Sequence, residues 1–236
     1  MRPFSAKLII MVFLVALTGL IAWAILSLPF NGPSLRAQVF ANIGHSGVSN
    51  PVTAVLLNFR GYDTLLEIVV LFLAVLGAWS LGIVQLPYPL HPAGLFLSAL
   101  LRILLPAMVL TAGYLLWAGA HAPGGAFQAG AVLGGAGILL LLTEVRFASA
   151  IVNWPLRTLL SAGILVFTGV ALGSMVFGGR LLEYPRHWAG ILILVIETAA
   201  TLSIGLTLTV LFIGGRPSEA DRTLSVKSTG KRKVKQ

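Results

Sequence analysis

Apolar residues fill long stretches of this chain, at about 8–30, 64–84, 97–118, 126–143, 158–177 and 188–213. Clusters of Gly, Pro, Asn and charged residues separate them. At ~1.5 Å per residue, some twenty apolar residues cross a ~30 Å hydrocarbon core as a helix. The pattern predicts an all-α, polytopic membrane protein with about six transmembrane helices. The first stretch also has the outline of a signal peptide, with Arg2 and Lys7 ahead of the apolar run and Ala22-Trp23-Ala24 resembling a cleavage site. Apolar residues continue through Phe30, however, which favours an uncleaved helix.

The polar interruptions carry more information than the spans. Residues 31–62 make the longest loop, closing on an apolar Asn50–Leu57 segment that reads as extended along the membrane surface. A charged turn with Arg60, Gly61 and Asp63 follows and leads directly into the second span. That span holds Glu67 about one turn inside it, on the same face as Asp63 by i, i+4 spacing. Pro87, Pro89 and Pro92 then force a turn. The fourth span opens on Gly124-Gly125 and repeats small residues at Ala126, Gly130 and Gly134, a spacing that lets helix backbones approach closely. The region 144–157, with Arg146 and Arg157, reads as an amphipathic loop, and Arg180, Glu183 and Arg186 mark the last turn. Six spans put both termini on one side of the membrane. That side collects most of the Lys and Arg, even without the tail, so both termini are expected in the cytoplasm.

Composition narrows the function. Hydrophobic residues make up 57% of the 236, charged ones 10%, and mean hydropathy is +0.96, which excludes a soluble domain. The absence of cysteine rules out disulfides, thiolate zinc sites and Cys-ligated iron–sulfur clusters within the chain. The net charge of +9 is no nucleic-acid signal, because seven of the sixteen Lys and Arg lie in 216–235, beside the last span. Such a tail reads as a topology signal or a contact with anionic membrane lipids.

Of the seven acidic residues, Glu67 and Glu197 lie clearly within spans. An intramembrane carboxylate is costly and is a functional candidate by default. Taken out of water, a carboxylate binds a proton more readily, and with hydroxyls and carbonyls around it can hold a small hard cation instead. Competition between the two is the minimum chemistry of ion coupling. Thr201, Gly205 and Thr209 follow Glu197 at four-residue steps and give the last span one small, polar face. The plainer reading makes both glutamates packing groups that hydrogen-bond neighbouring helices. His45, His91, His121 and His187 all fall in loops or at span ends, so neither haem nor another metal site is indicated. Helix capping is the simplest role for His121.

At Asn50–Leu71 the chain resembles the small MbhE-type module of Mrp antiporters and membrane-bound hydrogenases. The resemblance runs through Asn50, Val52, Thr53, Ala54, Val55, Leu56, Phe59, Arg60, Gly61, Asp63, Thr64, Leu65 and Glu67, with Leu28-Pro29-Phe30-Asn31-Gly32 similar to that module's exit from its first helix. Asn58 stands where an aspartate is common, which weakens any cation site there, and Leu66 where a glycine is. From about residue 95 the chain resembles the MnhB/MrpB family, whose Gly-His-x-x-Pro-Gly-Gly-Gly-Phe signature is matched by Ala120-His121-Ala122-Pro123-Gly124-Gly125-Ala126-Phe127. One residue fewer separates His from Pro, and alanines replace glycines at 120, 126 and 129.

The two resemblances imply a fusion: a two-helix module over 1–90, a four-helix module over 91–214 and a basic, disordered tail over 215–236. They imply a non-enzymatic subunit of a multisubunit Na+/H+ antiporter complex in a bacterial or archaeal cytoplasmic membrane. Its partners would be the other subunits and membrane lipids. It would carry no cofactor and no resident metal, with Na+ and H+ as the transported ions. Glu67 is expected to carry the ion, Asp63 and Arg60 to gate its entry, and Glu197 with Thr201 to form a second relay point. His121, Pro123, Gly124, Gly125, Phe127, Gly130 and Gly134 are expected to shape a cavity or a subunit contact. Two rivals remain: a membrane subunit of a redox-driven, hydrogenase- or respiratory-type complex, and a purely structural spacer.

Overall fold

In the computed structural model, the described residues are 3–28, 35–81, 83–84, 95–143, 154–176, 181–214 and 216–217. The chain divides into two compact units, 1–38 and 39–236. The first holds α1 (Pro3–Leu26), whose described side chains, from Lys7 on, are all exposed. A short helix, α2 (Leu35–Asn42), crosses the boundary.

The second unit is built on α4 (Gly61–Ser80), α5 (Leu95–Ala118), α6 (Ala126–Thr143), α7 (Trp154–Val176) and α8 (Ala189–Ile213), with a shorter α3 (Pro51–Ala54) ahead of them. Among the described residues, five helices, α1 included, are long and apolar enough to cross a membrane, and α6 has a shorter apolar stretch, Ala126–Leu142. The all-helical, multi-pass architecture is the one the apolar pattern predicts. The only strand pairing among the described residues joins Ile83–Val84 to Arg216–Pro217 in parallel, linking the ends of α4 and α8. Arg216 and Pro217, which fall at the start of the tail expected to be disordered, take part in this pairing.

The long loop over 31–62 proves largely helical in its described part. After α2 comes a 3-10 turn over Ile43–His45, then α3, which runs straight into a π-helical turn over Val55–Phe59. The segment expected to be extended is coiled because Asn50 caps it. Its side chain accepts from Val52 N at 3.0 Å, and Pro51 occupies the first helical position, where its missing N–H costs nothing. Helix α4 begins three residues earlier than its apolar run, with Asp63 in the first turn, where a carboxylate favours the positive helix end. Likewise α7 begins at Trp154, inside the expected loop. Pro29 to Gly32, the three prolines 87, 89 and 92, His91, Arg146, Arg180 and most of the tail lie outside the described residues.

Glycines let the bundle close. A Cβ at Gly130 would come 2.8 Å from Ile204, and one at Gly134 2.9 Å from Leu208; at Gly137 it would fall on Thr209 Oγ1. Helices α6 and α8 therefore run parallel at close approach. Helix α4 shares their direction: Ile68 lies with Ser203 against Gly163, and Val75 packs with Val210. Helices α5 and α7 run the other way. Leu182, buried at φ 66, supplies the Cδ1 nearest to Gly61.

Candidate functional site

The register of the parallel helices sets depth. Ala126, the first residue of α6, stands beside Glu197, which is eight residues into α8 and ~12 Å along its axis. The turn Gly119–Gly125 that joins α5 to α6 is recessed with Ala126, and residues 46–57 cover the recess. Gly47 abuts Ala189 and Gly190 at the top of α8. Ser46, Asn50, Thr53 and Ala54 are all buried.

Irregular backbone at membrane depth must find partners within the protein. Here the cover supplies them. Asn50 Nδ2 donates to Gly119 O at 3.0 Å and to Ala122 O at 2.7 Å, and Thr53 Oγ1 donates to Gly119 O at 2.5 Å. The backbone N–H groups of Ser49 and Asn50 both donate to Ala120 O at 3.0 Å. His121, expected to cap a helix, instead pairs its Nδ1 with Ser49 Oγ at 3.1 Å and meets Trp117 edge-on at 6.0 Å. Pro123 is exposed at the tip of the turn.

The turn ends at Gly125, whose N–H donates to Leu115 O at 2.9 Å and whose φ of +108° favours glycine. A Cβ on Gly119 would meet Gly125 Cα at 2.7 Å, and one on Gly125 would lie 2.9 Å from Glu197 Oε1. A Cβ on Gly124 would strike Leu115 O. The glycines thus bring backbone and carboxylate together. Glu197 is 3% exposed and accepts from Ala126 N–H, at the positive end of α6. Thr201, also buried, donates to the backbone carbonyl of Glu197 at 2.7 Å, so its proton is directed to the backbone and not to the carboxylate.

Glu67 has a different setting. It is exposed within this chain and opens on a groove of about 720 Å³ between α4, α6 and α8. Asp63, Leu66, Val70 and Leu71 line it from α4; Phe127 and Ala131 come from α6, and Ile204 and Leu208 from α8. The neighbouring Ile68 is level with Ser203, which lies fourteen residues into α8, ~21 Å along a helix ~37 Å long. Glu67 is therefore level with the middle of α8, although it lies only six residues into its own helix. On insertion scales a lipid-facing acid at that depth costs about 3 kcal/mol. Asp63 pairs with Arg60 at 2.5 Å, but side-chain exposures of 43% and 61% make this worth at most ~1 kcal/mol. No basic side chain among the described residues pairs with Glu67.

Asn58 donates its amide to Ser46 O at 3.0 Å, a bond that an ionised aspartate at this position cannot make. Among the described residues no group of three metal-ligating side chains forms. Asn50, Thr53 and Ser49 escaped assignment from the sequence because their partners lie about seventy residues away. The one signal for Asn50 and Thr53 was membership of the first resembling motif.

Fold and site define a class: a multi-pass helical membrane protein holding one enclosed and one open carboxylate beside a recessed helix start. Residues 96–214 match the family described as a domain related to the MnhB subunit of the Na+/H+ antiporter, and the chain belongs to that family. It is 28% identical over 209 residues to the A/B subunit of a probable K(+)/H(+) antiporter from Rhizobium meliloti (strain 1021). That match takes in 73% of this chain and 20% of the relative, so the chain spans about a fifth of its length. In fold it resembles a chain of the Mrp complex from Dietzia sp. DQ12-45-1b, with TM-score 0.61, 24% identity, 92% of this chain and 26% of that one. It also resembles a chain of an archaeal respiratory membrane complex, the membrane-bound sulfane sulfur reductase, with TM-score 0.56, 22% identity, 87% of this chain and 96% of that one.

Proposed function

We propose that this chain is a membrane subunit of a multisubunit monovalent cation/proton antiporter complex, fusing an MbhE-like two-helix module (1–90) to an MnhB-like four-helix module (91–214). The observation that carries this reading is the pair of carboxylates flanking the start of α6. Phe127 lines the groove that holds Glu67, and the adjacent Ala126 donates to Glu197. Each carboxylate can hold a proton or a cation, and alternation between them couples the two flows. Glu67, open to the groove, receives the ion; Glu197, enclosed, is the second station, with Thr201 holding its backbone. Asp63 lines the groove's upper end and, with its ion-pair partner Arg60, biases what enters. Both termini lie in the cytoplasm on the count of basic residues, and the tail meets anionic lipid. The family description names Na+ and the Rhizobium relative K+, and both are monovalent cations.

Membrane vesicles containing the complex test this. Glu67→Gln abolishes cation-dependent proton exchange while the complex still assembles; retained exchange overturns the reading. The likeness to nearly all of a chain from the sulfane sulfur reductase complex favours a second reading, an ion-translocating subunit driven by redox chemistry on other subunits. Mass spectrometry of the gently purified complex separates the two. Large antiporter-like partners alone support the first, and partners bearing iron–sulfur, nickel or flavin centres the second.

A further inference from the structure

Among the described residues, Glu67 presents an unpaired acid in a groove otherwise lined by apolar side chains and Asp63, level with the middle of α8. Asp63, the other acid of the groove, is paired with Arg60. The body of the chain offers little basic charge to answer it: no lysine occurs between Lys7 and Lys227. Arg102 and Arg157 open the oppositely directed helices α5 and α7, where Leu156 and Leu160 pack with Val75 and Val210 at the far end of the bundle. The groove follows α4 from Asp63 to Leu71, about two turns, which suits the side of one helix.

We propose that this groove seats a transmembrane helix of another subunit, bearing one Lys or Arg at the level of Glu67. Apolar side chains of that helix fill the space between Leu66, Val70, Phe127 and Ile204, and its cation meets the Glu67 carboxylate. An acyl chain would fill the same space but leave the charge unanswered, and a cationic headgroup would have to descend ~20 Å along α8 to reach it. Helix α1 does not meet the requirement, since its described span Lys7–Leu26 carries a basic residue only at its first position. The inference rests on the chain being a subunit of a complex and names the partner of the groove; it does not depend on ion carriage by Glu67.

This chain has no cysteine of its own, so one introduced cysteine marks a single site in it. In the assembled complex in its membrane, Val70→Cys is modified with a maleimide–benzophenone and irradiated, with Leu110→Cys on α5 as a surface control. The expected product joins Val70→Cys to an apolar spanning peptide of another subunit that contains Lys or Arg. Membrane-impermeant maleimide leaves the unmodified Val70→Cys largely unreacted. Glu67→Lys lowers the cross-link yield at least tenfold, and an acidic residue in place of the partner's basic one restores it. Rapid reaction with the impermeant maleimide and no protein cross-link would mean a water-filled vestibule and overturn the proposal. Lipid adducts alone, a cross-link to α1, or a partner peptide without a basic residue would overturn it as well. Exchange lost in Glu67→Gln without any cross-link sinks the docked helix and leaves the transport reading standing; a cross-link with exchange retained does the reverse.

Discussion

Asn50 and Gly119 are joined across 69 positions by a 3.0 Å bond from a side-chain amide to a backbone carbonyl. The same amide reaches Ala122 O, and Thr53 adds a second donor to Gly119 O. Asn50→Ala leaves two carbonyls of a recessed turn without these partners, at a cost of about 1–3 kcal/mol. Thermal unfolding of the purified complex should show a lowered Tm. Thr53→Val should cost less alone, and the double variant more than the sum, because either side chain alone still partners the shared Gly119 O and only the double variant removes both.

Gly125 faces Glu197 with no room for a methyl group. Gly125→Ala should lower stability by ~1–3 kcal/mol through its backbone conformation and displace the carboxylate from Ala126 N–H. Adding Glu197→Ala relieves the contact but not the backbone strain, so stability should return only in part. Full recovery in thermal unfolding would mean that the conformation at 125 costs little.

The position a Cβ would take at Gly137 is occupied by Thr209, whose hydroxyl donates to Gly205 O at 2.8 Å and Gly134 O at 3.3 Å. Gly137→Ala should push α6 from α8 and cost ~1–3 kcal/mol by overpacking. Thr209→Ala in the same chain removes the obstructing atoms and should recover most of the folded yield in detergent, although Thr209→Ala alone is mildly destabilising.

Tyr184, in the turn before α8, is buried, and its hydroxyl has no hydrogen-bond partner among the described residues. Burial pushes the phenol's pKa up from its usual 10.0. A raised folded value leaves stability intact below pH 10. Stability then falls as pH rises further, because the unfolded chain ionises there while the folded one resists. Tyr184→Phe should be neutral or slightly stabilising at neutral pH, with a flatter loss of Tm in the alkaline range. An unchanged alkaline profile would remove this residue as the cause.

Much of the fold was legible because its signals are local. Apolar runs of membrane length mark the spans, and small residues at 126, 130 and 134 mark the close face of α6. The coiling of the Asn50–Leu57 segment is hard to read from the sequence because its apolar content hides the Asn50-Pro51 start signal. The acids Glu67 and Glu197 also stood out at once, since few charges lie within apolar runs.

Sequence alone determined that this chain crosses membranes as helices, which of its helices pack through small residues, and which acids lie inside the spans. All three follow from residue type and spacing along one segment. The depths of those acids and the company they keep were decided by tertiary structure. Glu67 lies only six residues into its own helix, yet α4 and α6 both begin well below the top of α8. That offset is held by bonds between residues about seventy positions apart, Asn50 and Thr53 with Gly119, and by glycine contacts between helices. No periodicity within a single segment encodes such a level, because it depends on where one helix begins relative to another.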